Sequence, residues 1–111
     1  MNHEKLECFR QLVTVAEDLA KMVAKWPKGY AYLKDQIERA VSSAILNLAE
    51  GNGKSRYGKE RRRFFRISLG SISETAAGLV LAHSFGLTSH ERIESFKSRL
   101  RLAYVQIRAL P

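Results

Sequence analysis

The fold is decided by residues 57–85, YGKERRRFFRISLGSISETAAGLVLAHSF. Within this stretch Phe65, Leu69, Ile72, Ala76, Leu79 and His83 recur at spacings of 4, 3, 4, 3 and 4. A helix places residues at those offsets on one face, so they form a heptad seam. Beside it runs a row of small residues, Gly70, Ser73, Ala77, Val80 and Ser84. An interior glycine costs a helix about 1 kcal/mol, so Gly70 and Gly78 are expected to admit the close approach of another helix. Gly86 ends the segment.

Three further amphipathic segments flank this one. From about Glu4 to Lys25, Leu6, Phe9, Leu12, Val13, Ala16, Leu19, Ala20 and Val23 follow helical spacing. Trp26-Pro27-Lys28-Gly29 stops that helix, because proline lacks the amide donor and disfavours helix at the residue before it. From about Tyr30 to Glu50, Leu33, Ile37, Val41, Ala44 and Leu48 share a face. Gly51-Asn52-Gly53 closes that segment, with either glycine suited to a left-handed C-cap. Leu46 points away from the stripe and suggests a second contact surface. The last segment opens with Thr88-Ser89-His90-Glu91, which reads as a capping box between Thr88 and Glu91. It continues through Ile93, Phe96, Leu100, Ala103, Ile107 and Leu110. Four such helices joined by short connections predict an all-α, antiparallel up-down-up-down bundle, a single domain over residues 1–111.

Composition agrees with a folded domain: 45% of the 111 residues are hydrophobic and 27% charged. No uninterrupted apolar run approaches a membrane span, and the N-terminus lacks the apolar region of a signal peptide. The one cysteine, Cys8, lies beside an apolar face and is expected to pack. The expected compartment is the cytoplasm. The net charge of +8 is one-sided. Residues 1–50 carry seven basic and seven acidic side chains, whereas residues 51–111 carry twelve basic and four acidic. A polyanionic partner offsets such self-repulsion.

The densest basic run is Lys54-Ser-Arg-Tyr-Gly-Lys-Glu-Arg-Arg-Arg-Phe-Phe-Arg66, with seven basic residues and one acid. Lys59, Arg62, Arg63 and Arg66 fall at i, i+3, i+4 and i+7 on one helical face. Cations at a helix N-terminus oppose the macrodipole and one another, so this placement does not serve stability. Arginine also suits bidentate phosphate contacts. Lys54, Arg56, Lys59, Arg61, Arg62, Arg63 and Arg66 are therefore the candidate nucleic-acid contacts, with Tyr57 able either to stack on a base or to anchor in the core. An acidic protein partner, an intersubunit salt-bridge surface and a solvated charge run remain the alternatives. Asn47 and Glu50, near the end of the second helix, are expected to form a structural polar network.

Catalytic and cofactor patterns are missing. Gly53-Lys54-Ser55 imitates the end of a phosphate-binding loop, but Leu48 stands where the first glycine belongs and a helix precedes it. His3, His83 and His90 have no arginine at the offsets helical ribonucleases use, and the acids are too dispersed for a two-metal site. His83 is expected to be a packed core or interface histidine. No cofactor and no metal are expected.

Arg39-Ala-Val-Ser-Ser-Ala-Ile-Leu-Asn-Leu-Ala-Glu-Gly51 and Phe64-Phe-Arg-Ile-Ser-Leu-Gly-Ser-Ile-Ser-Glu74 carry a family resemblance. Together they resemble the four-helix-bundle proteins encoded in intervening sequences of bacterial 23S ribosomal RNA genes. Arg39, Ala40, Ser43, Asn47, Ala49, Glu50 and Gly51 match that pattern, as do Gly70, Ser71 and Glu74. Ile45 stands where the family usually has proline. The fold is also similar to the accessory variability determinant proteins of diversity-generating retroelements, which form barrel-like pentamers with a reverse transcriptase and nucleic acid as partners. The resemblance implies a homo-oligomer, pentamer-like, with basic surfaces. The resulting expectation is a non-enzymatic, oligomeric binder of RNA and/or DNA, with a scaffold that docks a reverse transcriptase or other partner as the alternative.

Overall fold

The computed structural model describes residues 1–111 and contains four α-helices and no strand. After a 3-10 turn at Asn2–Lys5, α1 spans Glu7–Val23, and a second 3-10 turn at Lys28–Tyr30 leads into α2, Ala31–Asn52. Then come α3, Lys59–Ser84, and α4, His90–Arg108. The expected start of α1 at Glu4 is thus three residues early. The carbonyls of the N-terminal turn are used instead by Arg10, whose Nη1 donates to Glu4 O at 3.1 Å and Lys5 O at 2.9 Å.

Side-chain contacts between helices give their directions. Gln36 reaches Glu74, Ser71 reaches Ser43, and Ser68 reaches Ala44, so α2 and α3 run antiparallel. Arg99 pairs with Asp18, and Thr88 donates to Met22 Sδ, so α4 runs antiparallel to α1. The result is a four-helix bundle measuring 43 × 23 × 21 Å.

One core of 20 buried residues draws on all four helices. The anticipated stripe of α2, Leu33, Ile37, Val41, Ala44 and Leu48, is buried throughout, as are Ile93, Phe96, Leu100, Ala103 and Ile107 of α4. Each fully buried aliphatic side chain contributes about 1.5–3 kcal/mol relative to an exposed one.

On α3 the seam holds through Phe65, Ile72 and Leu79, with Leu69 and Ala76 half-buried, but His83 is exposed. A heptad pattern drifts by about 20° per repeat on a straight helix. By the last turn Ala82 has taken the buried place. The small-residue row also needs correction. Gly70, Ser73, Ala77, Val80 and Ser84 all face outward, and a Cβ added at Gly70 would meet nothing within 4 Å. The row that packs against α2 is Ser68, Ser71, Thr75 and Gly78. There a Cβ on Gly78 would stand 2.7 Å from Ile37 Cγ1, so that glycine does mark a close helix approach.

The ends follow local chemistry. α3 finishes at Gly86, whose φ of 78° is left-handed, with Leu87 N donating to Ala82 O at 2.9 Å. The α4 N-cap is Ser89, one residue later than expected. Its Oγ accepts from Arg92 N at 3.2 Å, while Thr88 turns its hydroxyl to Met22. An 18-residue stretch of α3 is apolar enough on average to cross a membrane, although polar residues interrupt it and a third of it is buried in the bundle.

Candidate nucleic-acid interface

The basic segment begins where α2 ends. Gly51 does not stop that helix. It lies buried inside it, and a Cβ there would stand 2.7 Å from the Phe65 ring. The C-cap is Gly53 with φ −83°, so neither glycine is left-handed. The left-handed residue is Tyr57, with φ 65°. It sits in a turn closed by Gly58 N donating to Ser55 O at 3.1 Å, as the positive-φ residue of a type II turn does. Arg62 Nη1 donates to Tyr57 O at 2.7 Å and holds that conformation, leaving the Tyr57 ring exposed.

The seven candidate cations separate into two groups. Arg61 is only 6% exposed. Its Nε donates to Pro111 O at 2.7 Å, and its Nη1 faces the carbonyls of Gly51, Asn52 and Lys54 at 3.2, 3.2 and 3.3 Å. Its guanidinium lies 4.9 Å from the Phe65 ring centroid. Arg61 therefore caps α2, whose last carbonyls lack helical partners, and does not belong to the exposed surface. The signal was present in the sequence: Arg61 precedes Phe65 and Ser68 at i, i+4 and i+7, the core face of α3.

The other six lie at the surface. Lys54 pairs with Glu50 at 3.3 Å and Arg63 with Glu60 at 3.3 Å, and both cations flank the Phe64 ring. Exposed pairs of this kind contribute at most about 1 kcal/mol. Arg56, Lys59, Arg62 and Arg66 have no carboxylate within 4.0 Å. With Lys59, Arg62, Arg63 and Arg66 on one outward face of α3, the loop and first two turns form a continuous cationic strip.

Asn47 and Glu50 do not share a network. Asn47 Nδ2 donates to Ser43 O at 2.8 Å and Ser43 Oγ at 3.1 Å, and Ser71 Oγ donates to Ser43 Oγ at 2.8 Å. Ser68 and Thr75 extend this polar ladder by donating to Ala44 O and Ser71 O. Glu50 turns outward to Lys54 instead. The ladder was overlooked in the sequence, although Ser68, Ser71, Thr75 and Gly78 repeat at 3, 4 and 3. At the far end of α3, His83 and His90 are exposed with ring centroids 5.8 Å apart.

The fold and its strip define a basic four-helix-bundle protein. The family model of the 23S rRNA-intervening sequence protein matches residues 4–108, nearly the whole chain. The chain belongs to that family. Comparison with curated protein sequences gives no significant match.

Proposed function

We propose that this protein is a non-enzymatic nucleic-acid binder that contacts the phosphates of RNA and/or DNA through the strip formed by Lys54, Arg56, Lys59, Arg62, Arg63 and Arg66. The observation that carries the reading is that Arg56, Lys59, Arg62 and Arg66 stand exposed without acidic partners in the loop and first two turns of α3, and that of the four only Arg62 makes a hydrogen bond within the fold, to Tyr57 O. Membership of a family linked to 23S rRNA intervening sequences supports an association with such an element. Contacts made to phosphates position a ligand without reading its bases, so sequence preference is weak and salt dependence strong. The test is a salt titration of binding to a structured RNA and a mixed-sequence DNA duplex. An affinity insensitive to salt overturns the reading.

Self-association, pentamer-like by the resemblance to retroelement accessory proteins, belongs to the same proposal. It is supported by the C-terminal end of α3, where Val80, Leu81 and the following Phe85 are 44–49% exposed. A cluster of exposed apolar side chains marks a contact surface. The same cluster favours a second reading, a scaffold that docks a reverse transcriptase or another protein. Charge reversal of the strip separates the two: loss of RNA binding with partner binding intact supports the first, and the converse supports the second.

A further inference from the structure

A second cationic region lies at the opposite end of the bundle from the α2–α3 loop. A groove of about 320 Å³ opens between the last turns of α1 and the first turns of α4, floored by Met22 and Phe96. Lys21, Lys25, Arg92 and Arg99 line it together with Asp18 and Ser95. Asp18 is already committed, because its Oδ2 lies 2.9 Å from Arg99 Nη2. That pair neutralises itself and fixes the Arg99 guanidinium beside Phe96, at 5.5 Å from the ring centroid. Lys21, Lys25 and Arg92 have no carboxylate within 4.0 Å, so three charges in the groove stand uncompensated.

Lys21 sits in the last turn of α1, where the helix dipole favours a cation, whereas Arg92 lies in the first turn of α4, where the dipole disfavours one. Lys21, Lys25 and Arg92 line the same groove and repel one another. An anion between them would relieve that repulsion and the unfavourable placement of Arg92. The volume lies at the lower end of the range of small-ligand sites, which suits a phosphoryl group with Ser95 as a hydroxyl donor.

We propose that the α1–α4 groove is a second phosphate-binding site, built for a phosphoryl group on a compact polyphosphate or on a nucleic-acid backbone. It does not depend on the function of the α2–α3 strip, from which the length of the bundle separates it.

The test follows backbone amide shifts by NMR while the intact protein is titrated with pyrophosphate, and separately with a short oligonucleotide, at constant ionic strength. Pyrophosphate is expected to shift amides around residues 21–25 and 90–95. Lys25→Gln with Arg92→Gln should weaken it by roughly tenfold per cation removed. Arg62→Gln with Arg66→Gln in the strip should leave the groove's affinity unchanged. Groove shifts with the oligonucleotide as well identify a backbone phosphate as the source, and shifts with pyrophosphate alone identify a free polyphosphate. Absence of localised groove shifts with either probe overturns the proposal, as does equal weakening by the strip variant. Groove binding that persists when the strip fails to bind RNA leaves this inference standing and removes only the reading of the strip.

Discussion

Arg61 Nη1 donates to the carbonyl of Gly51 at 3.2 Å and so ties the first turn of α3 to the last turn of α2. The same guanidinium holds the carbonyls of Asn52, Lys54 and Pro111. One side chain thus closes the helix hairpin at the end where the cationic strip begins. It also fixes the backbone from which Lys54 and Arg56 project.

Removing that clasp should be costly. Arg61→Met leaves buried carbonyls without a charged donor, and hydrogen bonds to charged groups contribute about 1.5–3 kcal/mol each in favourable cases. Urea denaturation should show a loss of about 2–4 kcal/mol for Arg61→Met. Arg66→Met, at an exposed position with no hydrogen bond or ion pair, should stay within about 0.5 kcal/mol of the parent.

The glycines of the hairpin should respond with opposite signs. A Cβ on Gly51 would collide with the Phe65 ring at 2.7 Å and press on Phe64 Cβ at 3.1 Å. Gly51→Ala should destabilise by about 1–3 kcal/mol through overpacking. Gly70→Ala, with nothing within 4 Å, should stabilise by about 0.5–1 kcal/mol through better helix propensity. Thermal unfolding of the two variants side by side reads both signs.

Binding to duplex DNA should track the exposed cations. Three phosphate contacts per protomer give a slope of log K against log salt near −2.7, since each contributes about 0.9. Arg62→Glu with Arg66→Glu should flatten that slope by about 1.8 and weaken all sequences alike. Unchanged slopes in this variant would remove the strip from the interface.

Self-association should depend on the exposed apolar cluster at the C-terminal end of α3. Val80 and Leu81 are 49% and 48% exposed in the protomer, so Val80→Asp with Leu81→Asp leaves its core untouched. Light scattering should report a lower mass for this variant, with a helical content equal to the parent. An unchanged mass at equal concentration would place any subunit contact elsewhere.

Stability at alkaline pH should report on Cys8. Burial holds its thiol pKa above the ordinary value of 9.0. The folded state therefore keeps a proton that the unfolded chain has released, so stability falls as pH rises above the unfolded value, toward the raised one. Below that window the contribution is fully present. Cys8→Ala should flatten the alkaline decline in a pH series of urea midpoints, at the cost of a small cavity near α1.

Much of the candidate site was legible in advance. Lys59, Arg62, Arg63 and Arg66 share an outward face because helical spacing alone puts them there. Arg61 was misassigned because a run of three arginines reads first as surface, and nothing local shows that unpartnered α2 carbonyls lie beside it. Asn47 and Glu50 were grouped by nearness along the chain, whereas their side chains leave the helix toward different neighbours. His83 left the seam because a 3.5-residue repeat does not stay in register with a 3.6-residue turn.

By itself the sequence determined that four amphipathic helices form, which stripes α2 and α4 bury, and that the positive charge gathers after residue 50. Those properties depend on spacing along one chain segment, and helix periodicity is local. On α1, by contrast, Ala20 of the expected stripe is exposed, and Val15 and Met22 are buried in addition to it. Only the tertiary structure decided which small-residue row of α3 meets α2, and which arginine turns inward. Both rows satisfy the helical period equally well. The choice between them rests on where a second helix lies, at Ile37 against Gly78 and at Gly51 against Phe65, which no local spacing encodes.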